Sequence, residues 1–201
     1  MRISTAVAVC IAAALSLTAC GGESKDESLE SSATASPSAG GGGTKGEPLP
    51  LGKGMETVGS GGGGRLELTP SSVVYATKAA ADKPARGLFA VVTVRDRPTS
   101  DTAAAETAPT NRGGWQWKAP DGTAVGQDDG NATSVSLAGF DASGPIAAGT
   151  VKWRARAFDI TDAQRGGTLV YTDGEGATYE WKIPAQDSGS QVAELKKKLA
   201  G

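Results

Sequence analysis

The sequence predicts a small all-β domain, a β-sandwich, that follows an export signal and a flexible linker. Two observations predict the sandwich. Short stretches between residues 49 and 185 alternate apolar and polar side chains with period two, and clusters of Gly, Asp, Asn and Pro separate these stretches. A third observation is that residues 20–48 are mostly Gly, Ser, Ala, Thr and acids. Such a segment cannot bury an apolar core, so it predicts a linker.

The N-terminal residues predict export and lipid attachment. Met1-Arg2 precedes the apolar stretch 3–17, which is shorter than the roughly 20 residues of a transmembrane helix and is typical of a signal peptide. Leu17-Thr18-Ala19-Cys20 resembles the lipobox of bacterial lipoproteins, in which cleavage leaves a lipid-modified cysteine at the new N-terminus. We expect residues 1–19 to be removed and Cys20 to anchor the protein to the outer face of the cell membrane. The alternatives are an ordinary signal peptide with a chance cysteine and an uncleaved anchor.

Cysteine usage agrees with this interpretation. The chain has two cysteines, Cys10 and Cys20; we expect the first to be discarded with the signal peptide and the second to carry the lipid. A single mature chain then has no pair of thiols for a disulfide. Disulfides are common in such an oxidising compartment, but this chain is expected to have none. The domain therefore has to be stable through burial alone.

The predicted strands differ in how many of their faces are buried. Residues 87–94 are apolar at both parities, which predicts a central strand covered on both faces. Residues 151–157 alternate apolar and basic side chains without exception, which predicts a half-buried strand with a cationic outer face. The other predicted strands are 65–69 with a continuation at 72–75, 115–118, 168–172 and 179–183, the last two joined by a hairpin loop at 173–176.

The end of the chain departs from the strand pattern. Residues 186–201 predict a C-terminal tail with a short helix. Ser188-Gly189-Ser190-Gln191 fits a capping box. Val192, Leu195 and Leu199 fall on one helical face.

The segments that suggest a known family are 50–54, 91–94, 115–122, 149–160, 169–171 and 181–184. Their order of strands and turns resembles the telokin-like, immunoglobulin-like domain of many Gram-positive lipoproteins. The resemblance covers residues 49–185 and implies an immunoglobulin-like β-sandwich on the cell surface. It supplies no functional residues. The loop 96–114 departs from the family pattern because it is longer and richer in Ala, Thr and Pro.

The residue types present exclude most catalytic chemistry. The sequence has no histidine, and no cysteine lies in the predicted domain. This removes His-based bases and nucleophiles and nearly all zinc, copper and haem sites. We therefore predict a protein that is not an enzyme and has no cofactor. Asp128 and Asp129 are the candidates for a calcium site, but their spacing is not that of an EF-hand loop, and turn-forming acids are the alternative.

Two sets of residues are candidates for binding. Lys152, Arg154 and Arg156 form the basic parity of their strand. They are either a surface for an anionic partner or a solvated face paired with neighbouring acids. Trp115 and Trp117 share one parity. They are either an exposed aromatic platform or core residues, the usual role of aromatics at this spacing.

The charge balance narrows the choice of partner. Residues 65–201 contain 16 Lys plus Arg and 16 Asp plus Glu, whereas nucleic-acid binding normally requires a basic excess. We therefore predict no nucleic-acid partner. The leading hypothesis is a lipid-anchored domain that binds an envelope protein or a wall polymer, or serves as a scaffold. The alternative is a small-molecule or calcium-binding module on the cell surface.

Overall fold

Residues 47–108 and 113–201 are described by the computed structural model, and within them the chain forms two β-sheets and one α-helix. The helix is α1 (Val192–Ala200). The strands, in chain order, are β1 (Leu49–Pro50), β2 (Met55–Val58), β3 (Arg65–Ala76), β4 (Leu88–Pro98), β5 (Gly114–Lys118), β6 (Ala124–Gly126), β7 (Lys152–Ile160), β8 (Gly167–Thr172), β9 (Thr178–Ile183) and β10 (Ser188–Gly189).

The two sheets have different strand orders. The first sheet is β1-β9-β8-β5-β6, and the second is β10-β3-β4-β7 with β2 also paired to β3. Strand β4 lies between β3 and β7 in the second sheet, so the predicted central strand is confirmed. The predicted hairpin of β8 and β9 is confirmed as well. Strand β3 runs past Pro70 as predicted, with a register shift between Pro70 and Ser72 that is typical of a β-bulge.

The main core consists of apolar side chains from both sheets. Trp117 of the first sheet packs against Phe158 and Tyr75 of the second, with ring centroids 5.9 and 6.3 Å apart. Its indole nitrogen donates a hydrogen bond to the Gln164 carbonyl at 3.0 Å, which satisfies the polar atom of a fully buried ring. The prediction of an all-β sandwich is confirmed.

A second, smaller core lies on the other face of the second sheet. Leu195 and Leu199 of α1 pack there with Phe89 and Val91 of β4. Trp153 of β7 is half-buried against the same cluster. Strand β4 is therefore apolar at both parities because each of its faces meets a core.

The start of the helix differs from the sequence prediction. Ser188–Gly189 is not part of a capping box, because these residues form β10 and pair with β3. Gln191 precedes the helix, its backbone N–H donates to Ser72 Oγ at 3.0 Å, and its side-chain oxygen accepts from Thr93 Oγ1 at 2.7 Å. Tertiary hydrogen bonds thus replace the predicted local cap. None of the helical segments in the described ranges has the length and apolarity needed to cross a membrane.

Candidate functional site

The arginines of β7 point into the protein. Arg154 and Arg156 pair in register with Val94 and Val92, whose side chains belong to the core between the sheets. The apolar parity of β7 packs instead toward the second core. The predicted solvated cationic face is therefore wrong for Arg154, which is buried, and for Arg156, whose side chain is 18% exposed. The apolar face of β7 is covered by Ala132, Leu137 and Phe140 from the segment after β6, and the basic face turns toward the space between the sheets. Lys152, at the strand end, is exposed.

Two acids lie against these arginines inside the protein. Glu106 Oε2 accepts from Arg156 Nη2 and lies 3.7 Å from Arg154 Nη1. Asp96 Oδ2 lies 3.2 Å from Arg154 Nε, and Arg154 Nη2 donates to the Gly144 carbonyl at 2.7 Å. The side chains of Arg154, Asp96 and Glu106 are 5%, 0% and 7% exposed. We call Asp96, Glu106, Arg154 and Arg156 the buried charge cluster.

The two carboxyl groups of this cluster have opposite pKa shifts. Burial and the nearby Glu106 carboxylate raise the pKa of Asp96 to about 9. Burial also raises the pKa of Glu106, but the guanidinium groups of Arg156 and Arg154 outweigh it and hold that pKa below its usual value. The two arginines therefore share one ionised acid and one protonated acid near neutral pH. This arrangement ties the loop after β4 to β7, and only Arg156, whose side chain is 18% exposed, reaches the surface.

The two candidate tryptophans are also buried. Trp115 and Trp117 are 3% and 0% exposed. The ring of Trp115 packs against Tyr171 and Trp181, with centroids 4.7 and 5.7 Å apart. Core packing, one of the two alternatives, is thus the arrangement in the structure, and these indoles form no exposed platform.

The candidate calcium ligands belong to a turn. Asp129 Oδ2 accepts the backbone N–H of Gly126 at 2.9 Å, which closes the turn after β6. Asp128 is exposed. In residues 47–108 and 113–201, no three acidic, His or Cys side chains come together as metal ligands. The buried carboxylate near this turn is Asp159, which accepts three backbone N–H groups, including that of Asn131 at 2.8 Å.

The predicted lipidation site cannot be placed in the fold. Cys20, the predicted signal peptide 1–19 and the linker up to residue 46 lie outside the described residues. Lipid attachment at Cys20 therefore stays a prediction from the sequence.

The first sheet brings together two lysines that are far apart in the sequence. Lys118 of β5 pairs in register with Thr168 of β8, and Thr168 pairs with Lys182 of β9. In-register residues of neighbouring strands share a face, and strands lie about 4.8 Å apart, so the two lysine Cα atoms are about 10 Å apart. Both lysines are exposed. Among the described residues, neither has a carboxylate within ion-pair distance. We call Lys118 and Lys182 the lysine pair.

The lysine pair lines an open groove of about 690 Å³. Arg165 is the third cation in its wall, and Glu47 is the one acid among the lining residues that the structure describes. Arg165 Nε lies 2.8 Å from Asp162 Oδ1, whose side chain is 83% exposed, so this ion pair is weak. The groove therefore has a net positive lining.

Close backbone packing and a tyrosine build the wall of this groove. Tyr75 Oη donates to the Pro184 carbonyl at 2.7 Å and accepts from the Gly166 N–H at 3.1 Å, and burial raises the pKa of Tyr75 to about 12. Gly166 has φ of +66°, and a Cβ there would lie 2.9 Å from the Ala185 Cβ. The Arg165 guanidinium lies 5.0 Å from the centre of the Tyr75 ring, within cation–π range.

A second groove continues on the far side of Arg165. It measures about 260 Å³, lies between β3 and α1, and has Lys78, Arg165 and Lys196 in its wall. Lys78 is exposed, and Lys196 pairs with Asp187 at 2.7 Å. Since Arg165 lines both grooves, cations follow one another along the two grooves.

The lysine pair was not a candidate in the sequence. Its members belong to two different strands, and the register that brings them together passes through a third strand, β8. The alternation of residues 115–118 and 179–183 places both lysines on the outer parity. That signal gives the face of each lysine but not their proximity.

The chain matches no protein-family profile, and no curated protein matches it. Among solved structures, it is similar to the crystal structure of a candidate lipoprotein from Bacillus subtilis, with 17% sequence identity and a TM-score of 0.45. The alignment covers 73% of this chain, which spans 42% of the length of the Bacillus protein.

Proposed function

We propose that this protein is a lipid-anchored, extracytoplasmic domain that binds a partner in the cell envelope and catalyses no reaction. The observation that supports the anchor is Leu17-Thr18-Ala19-Cys20 directly after an apolar stretch that is too short to span a membrane. On the sequence resemblance, we assign the sandwich to the immunoglobulin-like class. Two acyl chains give stable attachment, since each buried CH₂ contributes about 0.8 kcal/mol.

Binding is favoured over catalysis by where the charged groups lie. The strongly perturbed carboxyl group, Asp96, is enclosed with arginines and does not line any of the described grooves. The exposed charged groups of the grooves are mainly lysines and an arginine. A perturbed acid in a cleft is the usual sign of acid–base catalysis, whereas cations along an open groove suit the binding of an anionic partner.

The anchor is tested by replacing Cys20. In a bacterial host that processes lipoproteins, the wild-type chain is expected in the membrane fraction and is expected to incorporate a labelled fatty acid. Cys20→Ser is expected to lose both properties. Cys10→Ser is the matched control, because it changes a cysteine of the same N-terminal region and is expected to retain both. Fatty-acid labelling of Cys20→Ser at the wild-type level would contradict the proposed anchor.

The binding role is tested by crosslinking in intact cells. A photo-crosslinking residue at position 182, in the groove, is expected to capture a macromolecule that the same residue at the exposed position 152 does not capture. Equal yields at both positions, or no adduct at either position, would count against a partner in the groove.

A further inference from the structure

The two cationic grooves indicate the chemistry of the partner. We propose that Lys118, Arg165 and Lys182 bind an extended, linear polyanion of the cell envelope that lies along the groove across β5, β8 and β9 and continues past Arg165. This inference rests on the proposed binding function and adds the class of partner. Its occupant carries repeated phosphate or carboxylate groups on a flexible chain.

Charge complementarity supports an anionic occupant. The lining of the first groove has three cations and the single acid Glu47, among the residues that the structure describes. Lys118 and Lys182 are exposed, and no described carboxylate lies within ion-pair distance of either. An incoming anion therefore does not have to displace an internal partner of the lysine pair. By contrast, the arginines of the buried charge cluster have their acids in place.

The spacing of the cations favours an extended chain over a compact ion. The Cα atoms of the lysine pair are about 10 Å apart across three strands. Lysine side chains are long and flexible, so this pair alone can hold one anionic group, and it is the further cation Arg165 in the same groove that favours a chain with repeated charges. Arg165 lines the second groove as well, where Lys78 and Lys196 follow. A longer chain that passes Arg165 gains these further contacts.

The shape of the site favours a soluble chain over a membrane surface. Lys118 and Lys182 line a concave groove whose other walls include Pro48 and Pro184. A flat bilayer contacts cations that protrude, but it cannot follow the concave surface that β8 and the neighbouring turns form between the two lysines. The walls are also held in place, because Tyr75 Oη bonds to both Pro184 and Gly166. The groove thus keeps its shape without a bound partner, which reduces the ordering cost of binding.

The test uses the detergent-solubilised mature protein and soluble polymers of defined length. Long-chain inorganic polyphosphate and polyglutamate represent the two kinds of anionic group, and orthophosphate and glutamate are their monomers. We expect at least one polymer to bind at low salt. Longer chains are expected to bind more tightly than shorter ones when the total concentration of anionic groups is kept the same. Preference for polyphosphate would identify phosphate, and preference for polyglutamate would identify carboxylate; either result supports the proposal.

Matched variants locate the binding surface. Lys118→Gln/Lys182→Gln is expected to bind about 2- to 30-fold more weakly, since each exposed ion contact contributes about 1.4- to 5-fold. The slope of log affinity against log salt is expected to become shallower by about 1 to 2. Lys83→Gln/Lys152→Gln removes the same charge from exposed sites outside the grooves and is expected to bind like the wild type. Urea unfolding of both variants checks that the fold is intact.

Four outcomes would overturn the proposal. The first is an equal loss of affinity in the two double variants, and the second is that neither polymer binds. The third is an affinity that does not depend on chain length. The fourth is that the lysine pair binds anionic lipid vesicles in preference to the polymers. Each of them is distinct from failure of the proposed function. If Cys20 is acylated and crosslinking captures a partner while no polymer binds, the anchored binding role stands and the polyanion is excluded.

Discussion

Two pairs of basic residues on alternating strands have opposite roles in this protein. Arg154 and Arg156 lie on β7, alternate with apolar residues, and are enclosed by Asp96 and Glu106. Lys118 and Lys182 lie on β5 and β9, also alternate with apolar residues, and are exposed. Similar sequence patterns therefore lead to a structural ion cluster in one sheet and an open cationic groove in the other.

The difference between the two pairs comes from what covers each sheet. The outer face of the second sheet is covered by α1 and by Ala132, Leu137 and Phe140 from the segment after β6, so both parities of β7 meet packed protein. The first sheet has its aromatic side chains on the core side, and its lysines are exposed on the other. An alternating strand thus shows which residues share a face, and the elements packed against the sheet decide which face is buried.

The largest expected effect is in the buried charge cluster. Glu106→Gln removes the acid that contacts both arginines and leaves buried guanidinium charge with one carboxyl partner. We expect the free energy of unfolding to fall by about 3 kcal/mol, as measured by urea denaturation at pH 7. Glu175→Gln, at an exposed turn, is the control and is expected to change the free energy by less than about 0.5 kcal/mol. Comparable effects from the two variants would contradict a structural role for the cluster.

The pH dependence of stability tests the protonation of the same cluster. The pKa of Asp96 is about 9 in the folded protein and about 4 in an unfolded chain, so the folded state holds an extra proton between these values. The contribution of this proton to stability is complete below about pH 4 and is lost as the pH rises toward 9. Asp96→Asn is expected to flatten the fall of the unfolding free energy between pH 5 and about 9.

The control for this measurement is Asp101→Asn, on an exposed position of the loop after β4. It is expected to retain the wild-type slope. A wild-type slope in Asp96→Asn as well would mean that the Asp96 carboxyl is ionised in the folded protein at neutral pH.

A smaller effect is expected at the wall of the lysine groove. Gly166→Ala places a Cβ 2.9 Å from the Ala185 Cβ and requires a side chain at φ of +66°. The left-handed conformation costs an L-residue about 1 to 2 kcal/mol, and we expect a loss of this size in thermal or urea unfolding. Gly176→Ala, at φ of +83° with no atom near the added Cβ, separates backbone strain from the contact. An equal loss in both variants would show that strain alone is responsible.

Much of the strand layout could be predicted because local patterns decide it. Strand β4 is apolar at both parities and lies between two strands as expected. The turn at 173–176 closes the predicted hairpin, and Asp173 accepts N–H groups from Glu175 and Ala177 within it. These features depend on residues that are close together in the sequence, so the sequence alone is enough to predict them.

The site could not be predicted in the same way because it depends on long-range pairing. The lysine pair requires the register of β5, β8 and β9, and the enclosure of Arg156 requires Glu106 from a loop 50 residues away. The helix start was missed for a related reason, since Gln191 bonds to Ser72 and Thr93 of the sheet. The role of a charged residue on a strand could therefore be assigned only from the tertiary structure.

The most direct test of this account compares the two basic pairs in one measurement. Urea unfolding of Arg154→Gln is expected to show a loss of about 3 kcal/mol, because it removes the buried guanidinium that contacts Asp96, Glu106 and the Gly144 carbonyl and leaves these groups without that partner. Lys118→Gln/Lys182→Gln is expected to unfold within about 0.5 kcal/mol of the wild type, since exposed charges contribute little to stability. Equal losses in the two variants, or a larger loss in the lysine variant, would contradict the division between a structural arginine cluster and an open lysine groove.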